Sequence, residues 1–300
     1  MKTPIAFIIF NRPKETALSF ASIRQARPNE LFIIADGPRT EEERPLCIAT
    51  RKIVEDAIDW PCTVHKNYSE VNLNCGARPS TGITWVFDHV DKAIILEDDC
   101  VAHSSFFPFA EELLERYKDD ERVMHISGTS FYHEHEAPII PESYYASFIP
   151  LIHGWATWGR AWNQYDYKMS QWLSLKGNRN FIKMFHNLSA YYRFEAKFDL
   201  NYEKKVGDSW DAQWALACMS RDGICLSPTK NLIANIGSLG GTHKTEQVAT
   251  QVLGMNFTLI HPKNLKRHFE EDNFTYSYHF GVNKSLRTRV TSPLKYILSF

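Results

Sequence analysis

The chain carries almost no net charge: 34 lysines and arginines stand against 35 acids in 300 residues, a formal −1. A protein that neutralises many phosphates needs a basic surface, so nucleic acid is excluded as an expected partner. Long apolar runs are also missing. The opening run, residues 5–10, is closed by Asn11 and Arg12 and lacks the longer apolar region and cleavage site of a signal peptide. The uncharged aromatic stretch at 144–159 is broken by Pro150 and Gly154 and is too short to span a bilayer. A cytoplasmic chain is therefore the expectation. None of the six cysteines forms a C-x-x-C pair, which excludes the usual zinc spacing and favours buried thiols over a disulfide scaffold. No internal repeat or low-complexity linker divides the sequence, so one domain is expected over 1–244, with an extension over 245–300.

The hydrophobic content, 44%, suffices for one large core. Apolar, β-branched runs at 5–10, 31–35 and 93–96, with a weaker one at 63–66, alternate with helical patterns at 13–26, 48–58 and 81–90. Pro13 suits a first helical turn. Strands alternating with helices predict an α/β fold, a mainly parallel sheet covered by helices on both faces. Further on, Phe106, Phe109, Ala110, Leu113, Leu114 and Tyr117 recur at helical spacing behind Ser104 or Ser105. Strands are expected at 123–127 and 144–149, and helices at 158–165, 181–200 and 208–221. This second half is less regular, and the sequence from 245 is polar and poorly periodic.

Ligands of open parallel sheets gather at the carboxyl ends of the strands. Asn11-Arg12 follows the first strand, Asp36 the second, and Glu97-Asp98-Asp99 the fourth. Successive carboxylates leaving an apolar strand repel one another, yet they suit a hard divalent cation that also binds phosphate oxygens. A solvated acidic turn is the other reading. Asp36 before Gly37 equally suits a turn residue bonding its own backbone, and Arg12 a surface charge at a helix start.

The segment 93–107, in which Glu97-Asp98-Asp99 is followed by Ser104-Ser105-Phe106-Phe107, resembles the region around the acidic E-D-D motif of GT-A glycosyltransferases, especially the N-acetylglucosaminyltransferase I type. Ile9-Phe10-Asn11-Arg12, Ile34-Ala35-Asp36-Gly37, the glycine-tryptophan segment at 153–159 and Ser209-Trp210-Asp211 resemble other segments of that family in the same order. The resemblance implies a GT-A-like sheet and a nucleotide-sugar donor, most simply UDP-linked. Arg12 and Asp36 would hold the nucleobase end, Asp98 the ribose, Glu97 the donor-sugar hydroxyls, and Asp99 a Mn²⁺ or Mg²⁺ bridging the diphosphate. Arg78 would also face the nucleotide, and Gly154-Trp155 the acceptor side.

An inverting transfer needs a carboxylate to take the acceptor proton while a cation steadies the leaving diphosphate. The resemblance makes Asp211 that base. Asp208, three residues earlier, suits an N-cap. His243, in a glycine-containing segment, would sit near the metal or stand free in a loop. Trp155, Trp158 and Trp162 would line an acceptor groove or fill the core. The expected activity is glycosyl transfer to a glycan or glycolipid, such as a surface-glycan intermediate. Lys284, Arg287, Arg289 and Lys295 lie among apolar residues in the tail, as a peripheral contact with an anionic membrane face would require. A sugar-1-phosphate nucleotidyltransferase would carry a glycine-rich phosphate loop after the first strand, where Asn11-Arg12-Pro13 stand. An inactive carbohydrate-binding protein would not need Asp211.

Overall fold

A computed structural model describes residues 1–132, 140–204, 209–237, 254–256 and 258–282. Its first part alternates strand and helix: β1 (Ile5–Ile9), α1 (Pro13–Ala26), β2 (Glu30–Ala35), α2 (Arg44–Asp56), β3 (Thr63–Tyr68), α3 (Asn74–Phe87) and β4 (Lys92–Glu97). β5 (Cys100–Ala102), α4 (Phe106–Arg116), β6 (Val123–Ser127), β7 (Tyr144–Ser147) and β8 (Trp155–Trp158) follow. Short helices α5 (Gly159–Trp162), α6 (Trp172–Leu175) and α7 (Arg179–Met184) lead to α8 (Leu188–Tyr202) and α9 (Asp211–Met219). β9 (Ile224–Pro228), β10 (Ile233–Asn235) and α10 (Phe269–Tyr278) complete the described elements.

The apolar runs become strands because both of their faces are covered. All five residues of β1 are buried, as are the four central residues of β4. One layer of side chains, including Phe7, Ile33, Ile94 and Leu96, meets α1 and α4; the opposite layer, including Ile34, Ile95 and Trp155, meets α3 and α9. Each such aliphatic side chain contributes about 1.5–3 kcal/mol by leaving water. A third cluster, around Trp172, Phe185, Phe194 and Phe198, joins the helices of the second half.

The eight-stranded sheet runs β3-β2-β1-β4-β8-β6-β9-β7, with β7 and β8 opposed to the other strands. This is the expected α/β class, a mainly parallel sheet between helices. After β1 the chain builds toward one edge, through β2 and β3, and then returns to place β4 on the other side of β1. The strand order thus reverses between β1 and β4, the position at which open α/β sheets commonly bind ligands.

Three segments differ from the sequence expectation. α3 starts at Asn74, before the expected 81, although Pro79 lies inside it. A side chain at Gly82 would come within 2.5 Å of Ile34 Cγ2, so glycine lets α3 lie against β2. The helix expected at 158–165 is only the short α5 at Gly159–Trp162, because Trp158 ends the unexpected strand β8, which pairs with both β4 and β6. The expected helix at 181–200 is two helices, with Asn187 capping α8 by accepting the N–H of Ala190. From the segment assigned to the extension, α10 packs on β7, where Asp272 accepts from Ser147 Oγ (2.5 Å) and the Phe148 N–H (3.0 Å). Asp208, His243 and the tail at 284–300 lie outside the described residues.

Candidate active site

β1 and β4 end side by side, so Arg12 meets the acidic triplet. Arg12 Nη1 is 3.0 Å from Asp99 Oδ2 and 3.6 Å from Asp98 Oδ1. Asp98 is also tied to the scaffold: Oδ2 accepts the Phe10 N–H at 3.1 Å, and its carbonyl accepts Ser19 Oγ at 2.9 Å. One guanidinium serves three carboxylates. Burial and the neighbouring Asp99 and Asp98 push Glu97 up to about 8, and burial with Asp99 pushes Asp98 up to about 7 against the pull of Arg12. Burial disfavours the Arg12 charge, but Asp98, Asp99 and Glu97 outweigh it and hold Arg12 above its ordinary value. The cluster is thus short of positive charge.

Asp99 has a second neighbour that the sequence does not advertise. β5 follows the triplet directly and pairs antiparallel with β10, Cys100 opposite Asn235. The Ile236 N–H donates to the Asp99 carbonyl at 2.8 Å. Gly237 then passes so close that a Cβ there would lie 2.2 Å from Asp99 Oδ2.

Asp211 begins α9, and its charge adds the smallest of the acidic contributions that raise the Glu97 pKa. Its Oδ2 accepts from Lys197 Nζ of α8 at 2.8 Å, and its Oδ1 from Ser209 Oγ. Burial opposes the Asp211 charge, but the Lys197 ammonium and the Ser209 hydroxyl prevail and keep it below the usual carboxylate value. Lys197 is pushed down to about 8 by burial, against the attraction of Asp211. Nothing in the 181–200 pattern singles out Lys197; the partnership exists only because α8 packs on α9.

Asp36 and Arg78 form a separate group at the ends of β2 and β3. Buried Asp36 accepts the N–H of Gly37 and of Leu73, both at 2.9 Å, and the Asn72 amide at 3.0 Å, so it ties the loop after β3 to β2. Its turn reading is therefore realised, and extended to a second loop. Burial raises its pKa despite these bonds and the nearby Arg78 and Arg51. Arg78 donates from Nη2 to the Asn67 carbonyl and to Asn67 Oδ1, while its buried Nε lacks a partner among the described residues. Arg51, not singled out in the sequence, donates from Nη2 to the carbonyls of Asp36 (3.1 Å) and Ser69 (2.6 Å) and stacks on Tyr68.

Trp155 is displaced from the role expected of it. Its indole is 0% exposed, stacked on His125 and Trp210 in the core, because β8 lies between two strands. Trp158 and Trp162 are also buried. A shallow surface recess, lined by Gln164, Asp166, Gln213 and Arg221 among others, lies along α9.

No protein-family model matches the chain, and no curated protein matches it. Solved structures resemble it weakly. Galactosyltransferase LgtC in complex with donor and acceptor sugar analogs has 10% identity and a TM-score of 0.37, over 72% of this chain and 70% of that one. UDP-glucose pyrophosphorylase complexed with UDP-glucose has 11% and 0.41, over 80% and 95%. The mannosyltransferase PcManGT from Pyrobaculum calidifontis, in complex with GDP-Man and Mn²⁺, has 13% and 0.36, over 52% and 45%. At such scores the likeness carries no argument about activity. Among the described residues no helix is long and apolar enough to cross a membrane.

Proposed function

We propose that the chain is a cation-dependent, inverting glycosyltransferase of the GT-A type, moving a sugar from a UDP-sugar to a hydroxyl of a glycan or glycolipid. The observation that carries this reading is the meeting of Arg12 with Asp98 and Asp99 at the end of β4, where the strand order reverses, with Asp211 close enough for its charge to act on Glu97. Among the described residues no three His, Cys, Asp or Glu side chains form a cage for a metal ion. Hard oxygen donors with a deficit of positive charge nevertheless fit a Mn²⁺ or Mg²⁺ held by one or two carboxylates and completed by substrate phosphates. Asp99 would be the protein ligand, with His243 as a second. When bound, the cation supplies positive charge to the departing diphosphate.

The remaining roles fall to the protein. Asp98, fixed by the Phe10 N–H, would bond the ribose, and Glu97 the donor-sugar hydroxyls. Arg12 would face the nucleobase end from the cluster, and Asp36 and Arg78 from their separate group at the ends of β2 and β3. Asp211 would take the acceptor proton. Its depressed pKa makes it a weak base in the ground state, so proton transfer comes late, once the acceptor oxygen has begun to bond carbon. Trp155, enclosed in the core, has no part in this reading.

Calorimetry with UDP, with and without Mn²⁺, tests the proposal, together with hydrolysis of UDP-, GDP-, CMP- and dTDP-sugars. Cation-dependent UDP binding and slow release of sugar from a UDP-sugar are expected. Equal affinity in excess chelator overturns the cation site. Formation of a nucleoside triphosphate from a UDP-sugar and pyrophosphate makes the chain a nucleotidyltransferase instead.

A further inference from the structure

We infer that Lys197 is a positioning residue for the proposed base: from 2.8 Å its ammonium holds the Asp211 carboxylate ionised and fixes the direction in which it accepts a proton. The inference rests on Asp211 being the base. Both side chains are nearly enclosed, 10% exposed for Lys197 and 14% for Asp211. An enclosed carboxylate beside other acids retains its proton unless a cation compensates it.

The charged groups around the pair leave that task to Lys197. From the end of β4, Glu97 adds an acidic neighbour. Arg193, one turn earlier on α8, directs Nε to the Phe280 carbonyl at 3.2 Å. At the end of α10, His279 is pushed down to about 3 by burial and by His153, Lys197 and Arg193, so it is neutral and supplies no charge. Ser209 and Lys197 donate to different oxygens of Asp211. Two donors on two oxygens restrict the rotation of the carboxylate and leave the remaining lone pairs for an incoming hydroxyl.

Carbon-13 labelling of aspartate carboxyls in the full chain, with Asp211→Asn assigning the resonance, reads the titration without substrate. Asp211 is expected to titrate below the ordinary aspartate range, Lys197→Met to raise its midpoint by about one pH unit or more, and Lys197→Arg to restore it. The acid limb of UDP-glucose hydrolysis with Mn²⁺ should move with the midpoint. Lys197→Met then loses roughly tenfold in rate at low pH, recovers at high pH and keeps its KM. An unmoved midpoint, or a moved midpoint with an unmoved rate profile, overturns the inference. Should Lys197→Met not fold, a wild-type midpoint at or above the ordinary range does the same. Full turnover by Asp211→Asn rejects the base itself, whereas its inactivation alongside an unmoved Lys197→Met midpoint rejects only the role of Lys197.

Discussion

Replacing Gly237 by alanine tests the placement of Asp99 without touching an ionisable group. The added carbon would lie 2.2 Å from Asp99 Oδ2, 3.0 Å from its Cγ and 3.2 Å from Asn235 Oδ1. The carboxylate must retreat by about 1 Å to reach ordinary van der Waals separation. Asp99 is a short side chain held by Arg12 at 3.0 Å and by the Cys100 thiol at 3.5 Å, so rotating it away breaks both contacts. Disturbing a group that orients a metal ligand costs about 10–100-fold in affinity, or roughly 1.4–2.7 kcal/mol. Stability should change little, because alanine also lowers the entropy of the unfolded chain by about 0.4–1 kcal/mol. The expected result is a 10–100-fold loss of UDP affinity in Mn²⁺ by calorimetry, with a melting temperature within about 3 °C of wild type. Wild-type UDP affinity in Mn²⁺ would refute the reasoning, since the moved carboxylate would then have no part in cation binding.

Three other outcomes are expected. Asp211→Asn should lower turnover at saturating donor by roughly 10²-fold or more while UDP affinity holds, and Asp208→Asn should be nearly silent; an active Asp211→Asn protein removes the base. Asp36→Ala strips the acceptor from two backbone N–H groups and the Asn72 amide, so urea unfolding should show a loss of about 1–3 kcal/mol; unchanged stability would mean that the two loops hold together without it. His125 is neutral in the fold, donating from Nε2 to the Leu151 carbonyl and accepting the Trp214 indole N–H at Nδ1, and burial pushes it down to about 3. Because this folded value lies below the unfolded one, its contribution to stability is intact above about pH 6.5 and declines as pH falls toward 3, by about 2 kcal/mol at pH 5. Melting curves of His125→Gln, itself destabilised, should show a shallower decline between pH 7 and pH 5; parallel declines would contradict the assignment.

What the sequence determined by itself was local and periodic. Apolar runs such as Ile5–Ile9 could be stable only as covered strands, Pro13 marked the start of α1, and alternating strands and helices implied parallel pairing. The acidic triplet could be placed at a strand end because that position depends on neighbours in the chain. Tertiary structure decided what distant segments do to one another. Trp155 looked like a residue for a binding surface, yet pairing of β8 with both β4 and β6 enclosed it. The helical pattern along the sequence began at 81, but close packing on β2 lets the helix start at Asn74 and run through Pro79. Lys197, Gly237 and Arg51 carry no motif. They act through Asp211, Asp99 and Asp36, partners 14, 138 and 15 residues away in the chain. Such pairings depend on how helices and strands pack, which periodicity along one segment does not encode.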